Sequence, residues 1–283
     1  MTRRATFNAL FQILVGAAAL LCCLILLFLL LVIGWNGIHA ISPEFLLSRS
    51  RGFGAEGGIL YQVLGSILLL VFAALISFSL ALGTAIYYSE YLKSSLPRKL
   101  SATLIYSLNG VPSVIFGIFG LIFFVNILGT GVSWLVGSVI LAVMILPTVT
   151  LASWQSLDSI PRTYRESASA LGLSKWAVIV RVVLPQGVHG AITGLLIGLA
   201  RAIGETAPIM FIATAFSGVD VPASFFEPVT ALPTHILALT QQATHAKALR
   251  NAWGASPVLL CLVLLLSLFA YASRLKLGAL SRR

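Results

Sequence analysis

Two ionisable side chains, Arg201 and Glu205, stand four residues apart inside an otherwise apolar run at 191–215. A charge at the bilayer centre costs at least ~2.5–3.5 kcal/mol on insertion scales, so such residues turn toward a protein interior or an aqueous path. Their spacing puts them on one helical face, where they can pair. Gly190, Gly194 and Gly198 continue that stripe, which predicts close packing against another helix rather than lipid. Two readings follow: a structural ion pair holding helices together, or the polar lining of a substrate path. The planar fork of Arg suits bidentate contact with an oxyanion, although one Arg paired with one Glu is not a high-affinity anion site. Thr206, Asn109 and Ser113 are lesser candidates for the same path, and each is equally suited to bonding a neighbouring helix.

No catalytic constellation accompanies them. The sequence has no GxxxxGK[ST] phosphate loop, no nucleophile with a base and no paired carboxylates, so an enzyme is not expected. Cys22, Cys23 and Cys261 lie in apolar runs without metal-ligand spacing, and neither metal nor disulfide is expected. His39, His189, His235 and His245 fall in loops or at span ends and read as solvated or interfacial.

The elements that position these residues must cross a membrane. Of 283 residues, 59% are hydrophobic and 9% charged, whereas soluble domains run near ~25% charged. So few charges do not cover a soluble surface, and the apolar excess must face lipid. Apolar runs of spanning length fall at 10–33, 61–87, 102–125, 134–154, 191–215 and 254–271. The fold class is therefore an all-α membrane protein with six transmembrane helices. Asn109, Gly110 and Pro112 punctuate the third run and Pro147 the fourth, but no repeat and no matching pair of broken helices is visible. The first run follows Arg3 and Arg4. It is too long for a signal peptide and no small-residue cleavage site closes it, so it reads as a retained span.

The net charge of +10 does not point to nucleic acid, because the basic residues are not gathered on one face with aromatics between them. They sit between the apolar runs and set topology. With the N-terminus inside, the inner segments hold Arg3, Arg4, Lys93, Arg98, Lys99, Arg162, Arg165, Lys175, Arg181, Arg274, Lys276, Arg282 and Arg283. The outer segments hold Arg49, Arg51, Lys247 and Arg250. Both termini are expected in the cytoplasm. Residues 1–60 then form the first span and outer loop, 61–274 the core, and 275–283 a cytoplasmic tail. Within the core, 155–190 is a cytoplasmic loop of short surface helices. Residues 216–253 are an outer segment with Pro222, Pro228 and Pro233 and a short re-entrant or interfacial helix near 234–242.

In the cytoplasmic loop, Pro161 suits a helix start, Ser167, Ala168 and Ala170 permit close approach, and Gly172 suits an exit with φ > 0. A second helix over 174–183 is expected to end at Pro185. These residues alone fit either a solvated hairpin or a docking element. Glu166, Ala168, Gly172, Leu184 and Pro185 stand at the spacing of the EAA loop of ABC importer permeases, which the segment resembles. Ser167 replaces the first Ala of that pattern and Val182 its Ile. The resemblance implies a coupling helix that docks in a groove on an ATPase subunit. Residues 168–171, with Ala168, Ala170 and Leu171, would be the inserted knob, and Arg162, Arg165 and Glu166 its polar rim.

The stretch Ala200-Arg201-Ala202-Ile203-Gly204-Glu205-Thr206-Ala207-Pro208 resembles a signature of the phosphate-specific permeases of the PstA family. So do Asn109-Gly110-Val111-Pro112-Ser113-Val114-Ile115-Phe116-Gly117, Ile86-Tyr87-Tyr88-Ser89-Glu90-Tyr91 and Gly57-Gly58-Ile59. The likeness covers about 57–274, and the lack of a large insert between the first two spans favours this subunit over its partner PstC. It implies a type I ABC importer permease fold in the bacterial inner membrane, moving inorganic phosphate from periplasm to cytoplasm, with Arg201 and Glu205 on the oxyanion path. It also implies a PstC-like second permease, a PstB-like ATPase dimer carrying ATP and magnesium, and a PstS-like periplasmic binding protein, with no cofactor on this chain. Competing readings are a permease for molybdate, sulfate or phosphonate, an ATP-independent secondary transporter, which needs two halves with matching broken helices, and a membrane enzyme. Reporter fusions after Arg283 and within 90–100 are expected to report cytoplasm, and fusions within 216–250 the outer side. A periplasmic C-terminus would overturn this topology.

Overall fold

The computed structural model describes residues 2–92, 94–215, 221–242 and 244–280. Twelve α-helices follow one another among the described residues. The first, α1 (Thr2–Ile38), is apolar on every side and packs against the last, α12 (Ala246–Leu280). Gly37 permits that crossing, since a Cβ there would lie 2.8 Å from Pro257 Cδ. None of the apolar stretch of α1 is buried in the chain, whereas 61% of that of α6 (Trp134–Asp158) is. A helix whose apolar stretch has so little protein cover is one that lipid solvates.

The core forms where α6 meets α3 (Leu60–Ile86) and α9 (Leu184–Ala202). Ile140, Leu141, Met144, Ile145 and Val149 of α6 and Leu69 and Ala73 of α3 are fully buried there. On α9, the expected stripe of Gly190, Gly194 and Gly198, extended by Gly187, packs on α6. Cβ atoms at Gly187, Gly190 and Gly194 would run into Leu157, Ser156 and Ala152, and one at Gly198 would lie 3.3 Å from Ile145 and Val149. Backbones brought this close gain dispersion and a bond from Ser156 Oγ to the Gly187 carbonyl, 2.9 Å.

Two expected spans are not single helices. The third run is α4 (Ser95–Asn109) followed by α5 (Ser113–Gly120), bent by 90°. Pro112 disfavours helix in the residue before it, and Gly110 adds no side chain to hold the turn. The fifth span starts further back than expected, as a helix reaching from Lys175 to Ala202. It comprises α8 (Lys175–Val178), a π-helical turn over Ile179–Val183, and α9. Pro185 therefore does not end the helix: it falls in the first turn of α9, where the wide π turn absorbs its missing N–H. The chain then breaks at 203–206 and resumes as α10 (Ala207–Ile212). The sequence marks interruptions in the third and fourth runs; α6 instead runs unbroken through Pro147, the fifth span is the second broken one, and α5 packs on α10. A Cβ on Gly117 would lie 2.7 Å from Pro208 Cα and 3.1 Å from Phe211 Cδ2.

At the end of the bundle opposite the 155–190 segment lie α2 (Pro43–Leu47), a hairpin of β1 (Ser50–Arg51) and β2 (Glu56–Gly57), and α11 (Leu232–Gln241). Asn251 Nδ2 donates to the Gly54 and Ala55 carbonyls at 3.1 and 3.0 Å. Lys247 hydrogen-bonds Glu56 at 2.7 Å, which lowers the carboxyl pKa. His235 on α11, expected to be solvated or interfacial, is instead buried within the protein. It is 4% exposed beneath Gly54, and burial pushes its pKa down to about 4. Leu232 N–H donates to Ser66 Oγ on α3 at 2.9 Å, fastening this outer segment to the core.

Because the α5–α10 crossing tolerates no side chain at Gly117, Gly117→Val is expected to destabilise the chain by ~1–3 kcal/mol through overpacking. Gly16→Val on α1, with open space around it, should be close to neutral. Detergent thermal melts of the two variants compare them directly.

Candidate substrate path and coupling face

Arg201 is in the last turn of α9, and Glu205 lies beyond its end. The helix tightens as Gly204 N–H bonds the Arg201 carbonyl at 3.2 Å and Glu205 N–H the Ala202 carbonyl at 3.1 Å, both i→i−3. The two residues thus bracket the break rather than stacking on a continuous helical face. Arg201 Nε lies 3.5 Å from Glu205 Oε1, with the side chains 40% and 16% exposed. This one long contact leaves most of the five guanidinium donors without a protein acceptor among the described residues. The glycine stripe packs on α6, but Arg201 departs from it and stays open.

The other path candidates separate. Thr206 occupies the cap position of α10, and Ser113 opens α5. The α5–α10 crossing at Gly117 and Pro208 brings those two helix starts into one neighbourhood. Asn109 is engaged by α6: its Oδ1 accepts from the side-chain hydroxyl of Thr148 at 2.8 Å, not from a helix backbone as its alternative reading had it.

In the 155–190 segment, α7 (Arg162–Ala170) begins after Pro161 and ends at Gly172 with φ +80°, as the residue types require. Its two sides differ. Arg162, Glu166, Ala170 and Leu171 are exposed, Leu171 by 84%. Ala168 is 6% exposed and packs with Ala85, Leu157, Ile160, Val178 and Val183. Arg165, one turn earlier on the same face, also points inward. This corrects the expected knob and rim: Ala168 and Arg165 are the foundation of α7, and the presented surface lacks them. The inward side is set by what lies beside α7: the Glu90 carboxylate and the Leu157 and Ile160 carbonyls meet Arg165, and Ala168 is small enough to seat against the apolar cluster. Tyr164 and Trp176, 53% and 67% exposed, belong to the presented surface and were missed. Bulky aromatics beside the small-residue run were the available signal.

The inward face meets the loop end of α3, where a π turn covers Tyr87–Tyr91. Glu90 of that turn pairs with Arg165 Nε at 2.9 Å. Beside it, Arg98 of α4 donates to Asp158 of α6 at 2.6 Å and lies 5.4 Å from the Trp154 ring centroid, and Lys175 Nζ sits 3.6 Å from that of Tyr91. Glu90, Arg98, Asp158 and Arg165, with Arg162 and Glu166, border a cavity of about 460 Å³. Its three arginines face three carboxylates, so it has no net preference for an anion. A lone carboxylate among tyrosines at a span end was the sequence signal for Glu90.

This bundle of apolar helices, two of them broken, with a short helix projecting between spans, has the fold of type I ABC importer permeases. A permease chain of the methionine ABC transporter MetNI superposes with a TM-score of 0.58 over 78% of this chain and 95% of its own, at 16% identity. The alginate ABC transporter superposes at 0.60 over 89% and 91%, at 18% identity. Residues 79–283 match the family described as binding-protein-dependent transport system inner membrane component, and the chain belongs to that family. It is an ABC importer permease subunit and a multi-pass inner-membrane protein. Relatives include the probable ABC transporter permease YqgI of Bacillus subtilis, 30% identical with 83% of this chain and 84% of that protein covered. The phosphate transport system permease PstA of Pasteurella multocida is 31% identical (83% and 82%). The probable PstA of Methanocaldococcus jannaschii is 32% identical (93% and 92%).

The open guanidinium gives a test of the two readings of the pair. If Arg201 and Glu205 only hold the break together, replacing both by Gln removes two charges at once and should preserve transport, as neutralised pairs often are tolerated. We expect Arg201→Gln/Glu205→Gln to assemble like the native chain on size exclusion yet fail to transport. Arg201→Lys should stay impaired, because a point charge does not replace the fork. Native uptake by the double variant would make the pair structural.

Proposed function

We propose that this chain is the PstA-like permease subunit of an ATP-driven importer that moves inorganic phosphate from periplasm to cytoplasm. The observation that carries the reading is the open guanidinium of Arg201 at a helix break, in a chain whose likeness to proteins named as phosphate permeases spans most of its length. Phosphate offers two oxygens to one guanidinium in the geometry that Arg matches bidentately. A single half-open Arg supports passage rather than tight binding, so selectivity falls to a PstS-like binding protein. Glu205, Ser113 and Thr206 complete the polar lining around the α5 and α10 starts, with Asn109 at its margin.

ATP hydrolysis belongs to a PstB-like dimer that holds ATP and magnesium, and a PstC-like permease supplies the other half of the path. The exposed Arg162, Glu166, Ala170 and Leu171 form the face that seats in the ATPase, and the φ of +80° at Gly172 turns the chain away from that seat.

In cells depleted of the chain and then complemented, radiolabelled phosphate uptake should return and should not be competed by molybdate, sulfate or phosphonate. Competition by one of those anions would reassign the substrate. A side chain at the left-handed Gly172 costs ~1–2 kcal/mol locally. Gly172→Asp should therefore insert normally but lose uptake and ATPase co-purification. Retained uptake with an intact complex would remove the docking role.

A further inference from the structure

Arg165 is the most fully engaged basic side chain among the described residues. Nε donates to Glu90 Oε1 at 2.9 Å, Nη1 to the Ile160 carbonyl at 2.6 Å, and Nη2 to the Leu157 carbonyl at 2.8 Å, with Ser89 Oγ at 3.5 Å. The side chains of Arg165 and Glu90 are 19% and 9% exposed. Leu157 and Ile160 lie at the end of α6, where helical carbonyls lack helical partners and a cation is favoured. Glu90 belongs to the π turn that ends α3, and such turns recur at functional sites. One rigid fork on α7 therefore holds the loop ends of two core spans, α3 and α6, together. Beneath it, Ala168 packs on Ala85 of α3 and Leu157 of α6.

From this geometry we infer that Arg165 is the positioning residue that transmits movement of α7 to the core, with Glu90 as its anchor on α3. The inference rests on the proposed coupling of α7 to an ATPase. A force on the presented side of α7 reaches the last turn of α6 through the Leu157 carbonyl bond, the connector just beyond it through the Ile160 carbonyl bond, and the π turn after α3 through one charge-assisted bond. Planarity matters, because the acceptors lie in different directions and a Lys ammonium on a flexible stem does not hold them in one fixed geometry.

The test uses the whole transporter in proteoliposomes, with the native chain, Arg165→Gln, Arg165→Lys and Glu90→Gln. Phosphate moved per ATP hydrolysed is the readout that a merely structural cap would not alter. Arg165→Gln should retain the ATPase and hydrolyse ATP while transport per ATP falls roughly tenfold, within the usual range of site-to-site coupling. Glu90→Gln should fall less, since both carbonyl bonds remain, and Arg165→Lys should not recover. Unchanged transport per ATP in Arg165→Gln would overturn the inference, as would loss of the ATPase from that complex, which would make Arg165 a shaper of the docking surface. If the native chain itself binds no ATPase, the coupling reading fails instead. The clamp is then read on the chain alone, with spin labels at Ser167 and Thr84 after replacement of the native cysteines. Their distance distribution should be narrow in the native chain and broad in Arg165→Gln. Equal widths would dispose of the clamp.

Discussion

In hydrocarbon, every backbone N–H and C=O must find its partner within the protein. That constraint is severe wherever this chain interrupts a helix, and it does so twice, at 110–112 and 203–206. Neither interruption is left to lipid. α5 and α10, the segments that resume after each break, lie against one another at Gly117 and Pro208, and α6 runs beside both. The centrality of α6 follows: it covers the glycine stripe of α9, supports both broken spans and bonds Asn109 at the first break. Only a helix with small neighbours can serve so many contacts, which is why the glycines facing it leave no room for Cβ atoms.

Two arginines show how the fold uses the same side chain in opposite ways. The guanidinium of Arg165 meets a carboxylate, two carbonyls and a hydroxyl, and is mostly covered. Its donors are engaged within the chain. Arg201 has one long contact and remains open, so its charge is available to something outside the chain. Five donors in a fixed fork serve either purpose, and the number of acceptors within reach decides which. The exposed remainder of α7 completes the division, presenting Arg162, Glu166 and Leu171 outward because Arg165 and Ala168 are spent inward.

The sequence by itself determined the class: too few charges for a soluble surface, apolar runs of spanning length, and a loop motif whose Pro161 and Gly172 punctuate α7 as the structure has them. It also determined that the glycine face of α9 would pack on a helix, since small residues at helical spacing have no other use in lipid. These properties are local, or sum along the chain, and so are legible without coordinates. Tertiary structure alone decided the phase and partners of the charged residues. Glycine and proline at 110–112 signalled a weak point, but the bend of 90° there and the break at 203–206 inside an expected span are held because α5 and α10 cover each other. Pro185 signalled a helix end, yet a π turn carried the helix through. Arg165 sits on the same short helix as Arg162 and three residues away, and nothing local distinguishes them. What separates them is the end of α6 and the carboxylate of Glu90, brought to one side of α7 from 75 residues away in sequence.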